Sequence, residues 1–164
     1  MKKVEDIKHI WSIICSQSTI DSETNNLTLV NVIEKITVNV LPADIDKMKA
    51  DGAKGFMLPA QLEVTSFFKK QDEKKVGVFD MRVRMTNPVG ETMITSLPQK
   101  IGLKEGVKNI RIRNRFAGIP VEKTGEYSFV VDLKDISETE YAEVGRIPLD
   151  VIVNTNVVAR TVGK

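Results

Sequence analysis

In KTGEYSFVVDL, residues 123–133, a glycine-containing turn runs into a strict two-residue repeat. Tyr127, Phe129, Val131 and Leu133 recur at every second position, which is the period of a β-strand with one face in a core. The same repeat, broken every dozen or so residues by turn residues, recurs along the chain and argues for an all-β sandwich or barrel.

The run from Phe79 to Thr86 carries the repeat most clearly. Phe79, Met81, Val83 and Met85 point one way, and Asp80, Arg82, Arg84 and Thr86 the other. Asn87-Pro88-Val89-Gly90 follows, with Pro second and Gly fourth as a type I turn prefers. Glu91 to Leu97 then returns as a hairpin partner, with Met93, Thr95 and Leu97 on one face. Ile10 to Ser16 predicts a first strand with Trp11, Ile13 and Cys15 on one side, and Asp21 to Asn26 a polar turn. Leu27 to Val40 is a long β-branched run whose alternation shifts at Asn31 to Glu34, as at a bulge or a change of sheet. Gln61 to Phe68 and Lys108 to Phe116 add two more strands. Ile147 to Val153 closes the set, and Pro148 marks it as an edge strand. Helix is confined to short turns, at Asp44 to Ala50 and at the capping-box-like Ser137-Glu138-Thr139-Glu140. The expected fold is a sandwich of about eight antiparallel strands.

A chain of 164 residues fits one domain that buries a core without disulfides or metals. Its core is expected over about residues 10–153, with 154–164 as an extension or frayed tail. Hydrophobic content of 41% with 28% charged residues is globular rather than disordered. The apolar run Ile10 to Cys15 is too short, and too interrupted by Ser12, for a signal-peptide core. No stretch approaches the ~20 apolar residues of a membrane span. The expectation is a cytoplasmic protein without membrane association.

Gly125-Glu126-Tyr127-Ser128-Phe129 resembles the tyrosine corner of immunoglobulin-like domains, in which the phenol packs into the end of the core and its hydroxyl bonds backbone a few residues upstream. Trp11-Ser12-Ile13-Ile14-Cys15 and Asn26-Leu27-Thr28-Leu29-Val30, running into Ile33-Glu34-Lys35-Ile36, extend the likeness. Together they resemble a bacterial family of uncharacterised domains with an immunoglobulin-like sandwich, over roughly Ile10 to Val153. The resemblance implies a fold and no catalytic residues. It departs from antibody domains in two respects: Phe129 stands where they carry a core cysteine, and the lone Trp lies in the first strand.

Catalytic chemistry finds little to work with. One Cys and one His exclude an intramolecular disulfide and a Cys/His zinc site. His9 and Cys15, six residues apart on one strand, stand about 20 Å apart at ~3.3 Å per residue, beyond the reach of a Cys–His nucleophile. Cys15 reads as a small buried hydrophobe. Asp44, Asp46 and Asp51 alternate with lysines and do not match a calcium loop, and Asp135, Glu138, Glu140 and Glu143 read as ordinary surface. No phosphate-binding glycine loop is present. The chain is expected to be no enzyme and to carry no cofactor.

Charge distribution is the remaining signal. Residues 69–115 hold 12 Lys/Arg against 5 Asp/Glu. Arg82 and Arg84 share one face of a strand, and Arg111, Arg113 and Arg115 share a face of another. If both strands lie in one sheet, five guanidinium groups line one surface suited to phosphates or an acidic partner. The plainer expectation is a solvated face neutralised by Glu63, Glu91 or Asp132 on neighbouring strands. The resulting expectation is a module for protein–protein contact or self-association, with nucleic-acid or other polyanion binding through the arginine rows as the alternative.

Overall fold

A strand that alternates apolar and polar side chains has one face to hide, and two sheets laid face to face hide both sets. The computed structural model of this chain describes residues 6–53 and 55–155 and takes that arrangement. Among the described residues the order is β1 (Ile7–Ile20), β2 (Leu27–Val32), β3 (Lys35–Asn39), α1 (Pro42–Ala50), β4 (Phe56–Lys70), β5 (Gly77–Thr86), β6 (Thr92–Thr95), β7 (Gln99–Leu103), β8 (Asn109–Val121), β9 (Gly125–Asp135) and β10 (Ala142–Asn154). One sheet runs β2-β1-β4-β8. The other runs β3-β10-β9-β5-β6, with β7 also on β5. All pairings are antiparallel except β3 with β10. The stretch with Val157, Val158 and Val162, expected as an extension or frayed tail, lies outside the described residues.

Ten strands replace the expected eight for local reasons. The 27–40 run divides at Ile33-Glu34, and its halves join different sheets. Ile33 N–H donates to Ile14 O at 2.8 Å, and Asp150 N–H donates to Glu34 O at 2.9 Å, so each crossing residue is tied to a different layer. β7 carries a glycine and only two apolar residues, Ile101 and Leu103, both buried. β6 ends early because Ser96 leaves the ladder: its N–H donates to Val83 O and its Oγ accepts from Val83 N–H. Leu97, expected to share a face with Met93 and Thr95, lies past the end of β6 and is 86% exposed. Ser137–Glu140 forms a turn and not a helix, since Ser137 N–H and Oγ both donate to Asp135 Oδ1. Asn87–Gly90 closes as expected, with Gly90 N–H on Asn87 O at 2.9 Å.

The core draws on both sheets. Phe79, Met81, Val83 and Met85 on β5 and Tyr127, Phe129, Val131 and Leu133 on β9 are all buried, as are Leu62, Val64, Phe68 and Phe116 of the other sheet. Phe129 meets Phe116 edge to face across the layers, with ring centroids 5.1 Å apart. Trp11 stays out of this core and stacks instead on Phe67, its cross-strand partner.

Tyr127 anchors the turn between β8 and β9. Its hydroxyl accepts from Glu122 N–H (2.9 Å) and Lys123 N–H (3.2 Å), and donates to Lys123 O (3.0 Å). The glycine that opens the motif has a steric cause: a Cβ on Gly125 would stand 2.6 Å from Pro88 Cγ. Replacing Tyr127 with Phe removes the partner of two amide donors and one carbonyl in a part-buried corner. The expected cost is roughly 0.5–1.5 kcal/mol, read as a lower urea midpoint. An unchanged midpoint would refute the anchoring role.

Candidate interaction surfaces

The two arginine rows lie on different layers. β5 pairs with β9 and places Arg82 and Arg84 on the outer face of the six-stranded sheet, whereas β8 pairs with β4 and places Arg111, Arg113 and Arg115 on the outer face of the other. A single surface of five guanidinium groups is therefore not formed. The cause is topological, because the two strands end in opposite layers. Arg82 stands directly across from Asp132, a buried carboxylate that accepts from Arg82 Nε at 3.1 Å and from Arg84 Nε and Nη2 at 2.5 and 3.1 Å. The Arg82 guanidinium also lies 4.0 Å over the Tyr141 ring.

On the opposite layer the centre is Glu63, buried although it faces outward. It is flanked in register by Cys15 and Arg115. Its carboxylate accepts from Arg115 Nε at 3.2 Å, from Thr65 Oγ1 at 3.1 Å and from Ser18 Oγ. The cover comes from the β1–β2 hairpin. Pairing of β1 with β4 ends at Cys15, and the hairpin then leans across β4 towards β8. Arg113 Nη1 reaches Ser18 O at 3.3 Å, and Arg111 Nη1 reaches Asn25 O at 2.9 Å. The arginine row thus ties down the hairpin. Glu63 and Asp132 are two of the three acids that strand pairing nominated as neutralisers; the third, Glu91, instead accepts from Asn87 Nδ2.

Burial pushes the Glu63 carboxyl up, but hydrogen bonds from Ser18, Arg115 and Thr65, together with the Arg113 charge, hold it below the usual range. Burial also pushes the Cys15 thiol up, so it is not poised as a nucleophile. Its Sγ sits 3.9 Å from Thr65 Oγ1. His9 points elsewhere, with Nε2 2.7 Å from Ser12 Oγ and its ring against Phe68. Among the described residues no group of three or more His, Cys, Asp or Glu is placed to hold a metal ion, and no helix is long and apolar enough to cross a membrane.

The third surface was not singled out by sequence. Where the chain crosses between sheets at Ile33-Glu34, a groove of about 430 Å³ opens between β1 and β10. Ile13, Val32, Ile33, Ile147 and Pro148 make its apolar lining, and Glu34, Glu126 and Asp150 its rim. Glu126 and Asp150 are direct cross-strand neighbours, a like-charge pairing that costs stability. Lys35 is the partner of Asp150 on β3, yet no ion pair within 4 Å joins them. Among the described residues the three carboxylates have no side-chain hydrogen bond or ion pair. Only the strand register makes this cluster visible, since the acids are 24 and 92 residues apart.

No protein-family model matches the chain, and no curated protein matches it. Solved structures with partial likeness include the C-terminal domain of wzt (15% identity, TM-score 0.47, covering 91% of this chain and 79% of that one). A β-glucosidase from Listeria innocua shows 12% identity and a TM-score of 0.42 over 75% of this chain, which spans 15% of that enzyme's length. The N-terminal domain of PorA is 8% identical, with a TM-score of 0.27 over 87% of this chain and 97% of that one.

Because Glu63 is held below its unfolded value near 4.5, the stability it contributes is complete above that pH. It is lost as pH falls through the lower folded value. Glu63→Gln is expected to cost roughly 1–3 kcal/mol at pH 7. Urea titrations should show the gap to the parent protein shrinking below about pH 4, where the parent carboxylate also protonates. A pH-independent gap would contradict the charged anchor.

Proposed function

We propose that this chain is a non-catalytic β-sandwich module that works by protein–protein contact through the acid-rimmed groove. One observation carries the reading: among the described residues Glu34, Glu126 and Asp150 have no side-chain partner and stand beside apolar side chains, while Glu63 and Asp132 are each closed by arginines of their own sheet. An apolar strip with uncompensated charge at its rim suits a partner segment that brings apolar and basic residues together. The non-catalytic reading is supported by the separation of His9 from Cys15 and by the burial of the thiol. The tyrosine corner supports an immunoglobulin-like assignment of the sandwich, and the single buried Cys15 fits a reducing compartment such as the cytoplasm.

The test is recovery of the tagged full chain from its own host, as the parent and as Glu126→Lys/Asp150→Lys. The parent should retain a protein in near-stoichiometric amount through nuclease treatment, and the variant should lose it roughly tenfold or more. Equal recovery by both would overturn the reading.

A second reading, polyanion binding, is favoured by Arg115, whose side chain is 74% exposed and bonded only through Nε. It predicts retention of a DNA duplex that falls steeply with salt and disappears in Arg111→Glu/Arg113→Glu/Arg115→Glu. Binding indifferent to both would remove it.

A further inference from the structure

The groove's own chemistry narrows its occupant. β3 covers β10 only from Asp150 to Asn154, so among the described residues the earlier part of β10 has an open edge. Asp150 N–H points to that side, onto Glu34 O, and by alternation residue 148 faces the same way. Pro148 offers no N–H there, which blocks strand addition at that position. An occupant is therefore read through its side chains, by apolar burial and by cations that meet Glu34, Glu126 and Asp150.

We infer that the groove takes residues 156–164 of a second copy of this chain, an inference that rests on the protein-contact reading above. The segment is Asn-Val-Val-Ala-Arg-Thr-Val-Gly-Lys, with three valines, Arg160, Lys164 and no acid. Reach decides between the same chain and another. Asn154 lies four residues beyond Asp150, about 13 Å at ~3.3 Å per residue. Reversing direction takes at least about two residues, and coming back level with Asp150 takes about four more at the same rise. Within one chain Val157, Val158 and Arg160 fall in that return and do not reach the groove. A second copy presents the whole segment, and reciprocal exchange, in which each copy gives its segment to the other's groove, closes as a two-fold dimer.

The experiment measures the mass of the full chain in solution by sedimentation across a concentration series. The parent should be a dimer. Glu126→Lys/Asp150→Lys should weaken association roughly tenfold or more, and so should Arg160→Glu/Lys164→Glu, whose changes lie outside the described fold. An equimolar mixture of the two variants should regain association, because the basic groove of one meets the acidic segment of the other. Thermal melts of each variant establish that it is folded. A monomeric parent, or variants that dimerise like the parent, overturns the inference. If the parent is monomeric while Glu126→Lys/Asp150→Lys still loses its host partner, the exchange fails and the protein-contact reading stands.

Discussion

Two backbone hydrogen bonds at Ile33 and Glu34 hold the sandwich in its particular form. One joins Ile33 to β1 in the first sheet, and the other joins Glu34 to β10 in the second. A crossing of two residues leaves no slack, so β2 and β3 must occupy the same side of the molecule in different layers. β3 then lies parallel to β10 and covers only its last five residues. The open stretch of β10 and the groove beside it follow directly from how short the crossing is.

Charge is organised by the same register. On each outer face one buried carboxylate sits across from an arginine, Glu63 from Arg115 and Asp132 from Arg82. Leaving either carboxylate buried without its partners would be costly, so each contact penalises a register that separates the two. The arginines also do mechanical work on the first sheet, where Arg111 and Arg113 hold the β1–β2 hairpin against the face that it covers. A row of positive charge in the sequence thus becomes, in the fold, a row of ties.

Much of the scaffold was legible because period-two alternation and turn chemistry are local. Phe79–Thr86, the Asn87–Gly90 turn and the Tyr127 corner needed only residues close in sequence. Even the break at Asn31–Glu34 announced itself as a phase shift, and it is a change of sheet. Three features were not local. The assignment of β5 and β8 to opposite layers separated the arginine rows, and no pattern within either strand carries that information. β7 has too few apolar residues to signal a strand and is held by pairing with β5. Glu34, Glu126 and Asp150 are unremarkable one by one, and become a site only when β9, β10 and the crossing are brought together.

An open-edged sandwich must also avoid pairing with copies of itself, and its edges meet that demand unequally. β8 lifts arginines from its outer face, and Gln99 Nε2 caps the Arg113 carbonyl at 3.2 Å. β10 removes a donor at Pro148 and sets acids beside it. β2 has neither device: Val30 and Val32 are 41% and 54% exposed on an uncovered strand. Val32 is also part of the groove lining, so the unprotected edge and the acid rim form one continuous surface. An occupant of the groove would therefore shield this edge as well.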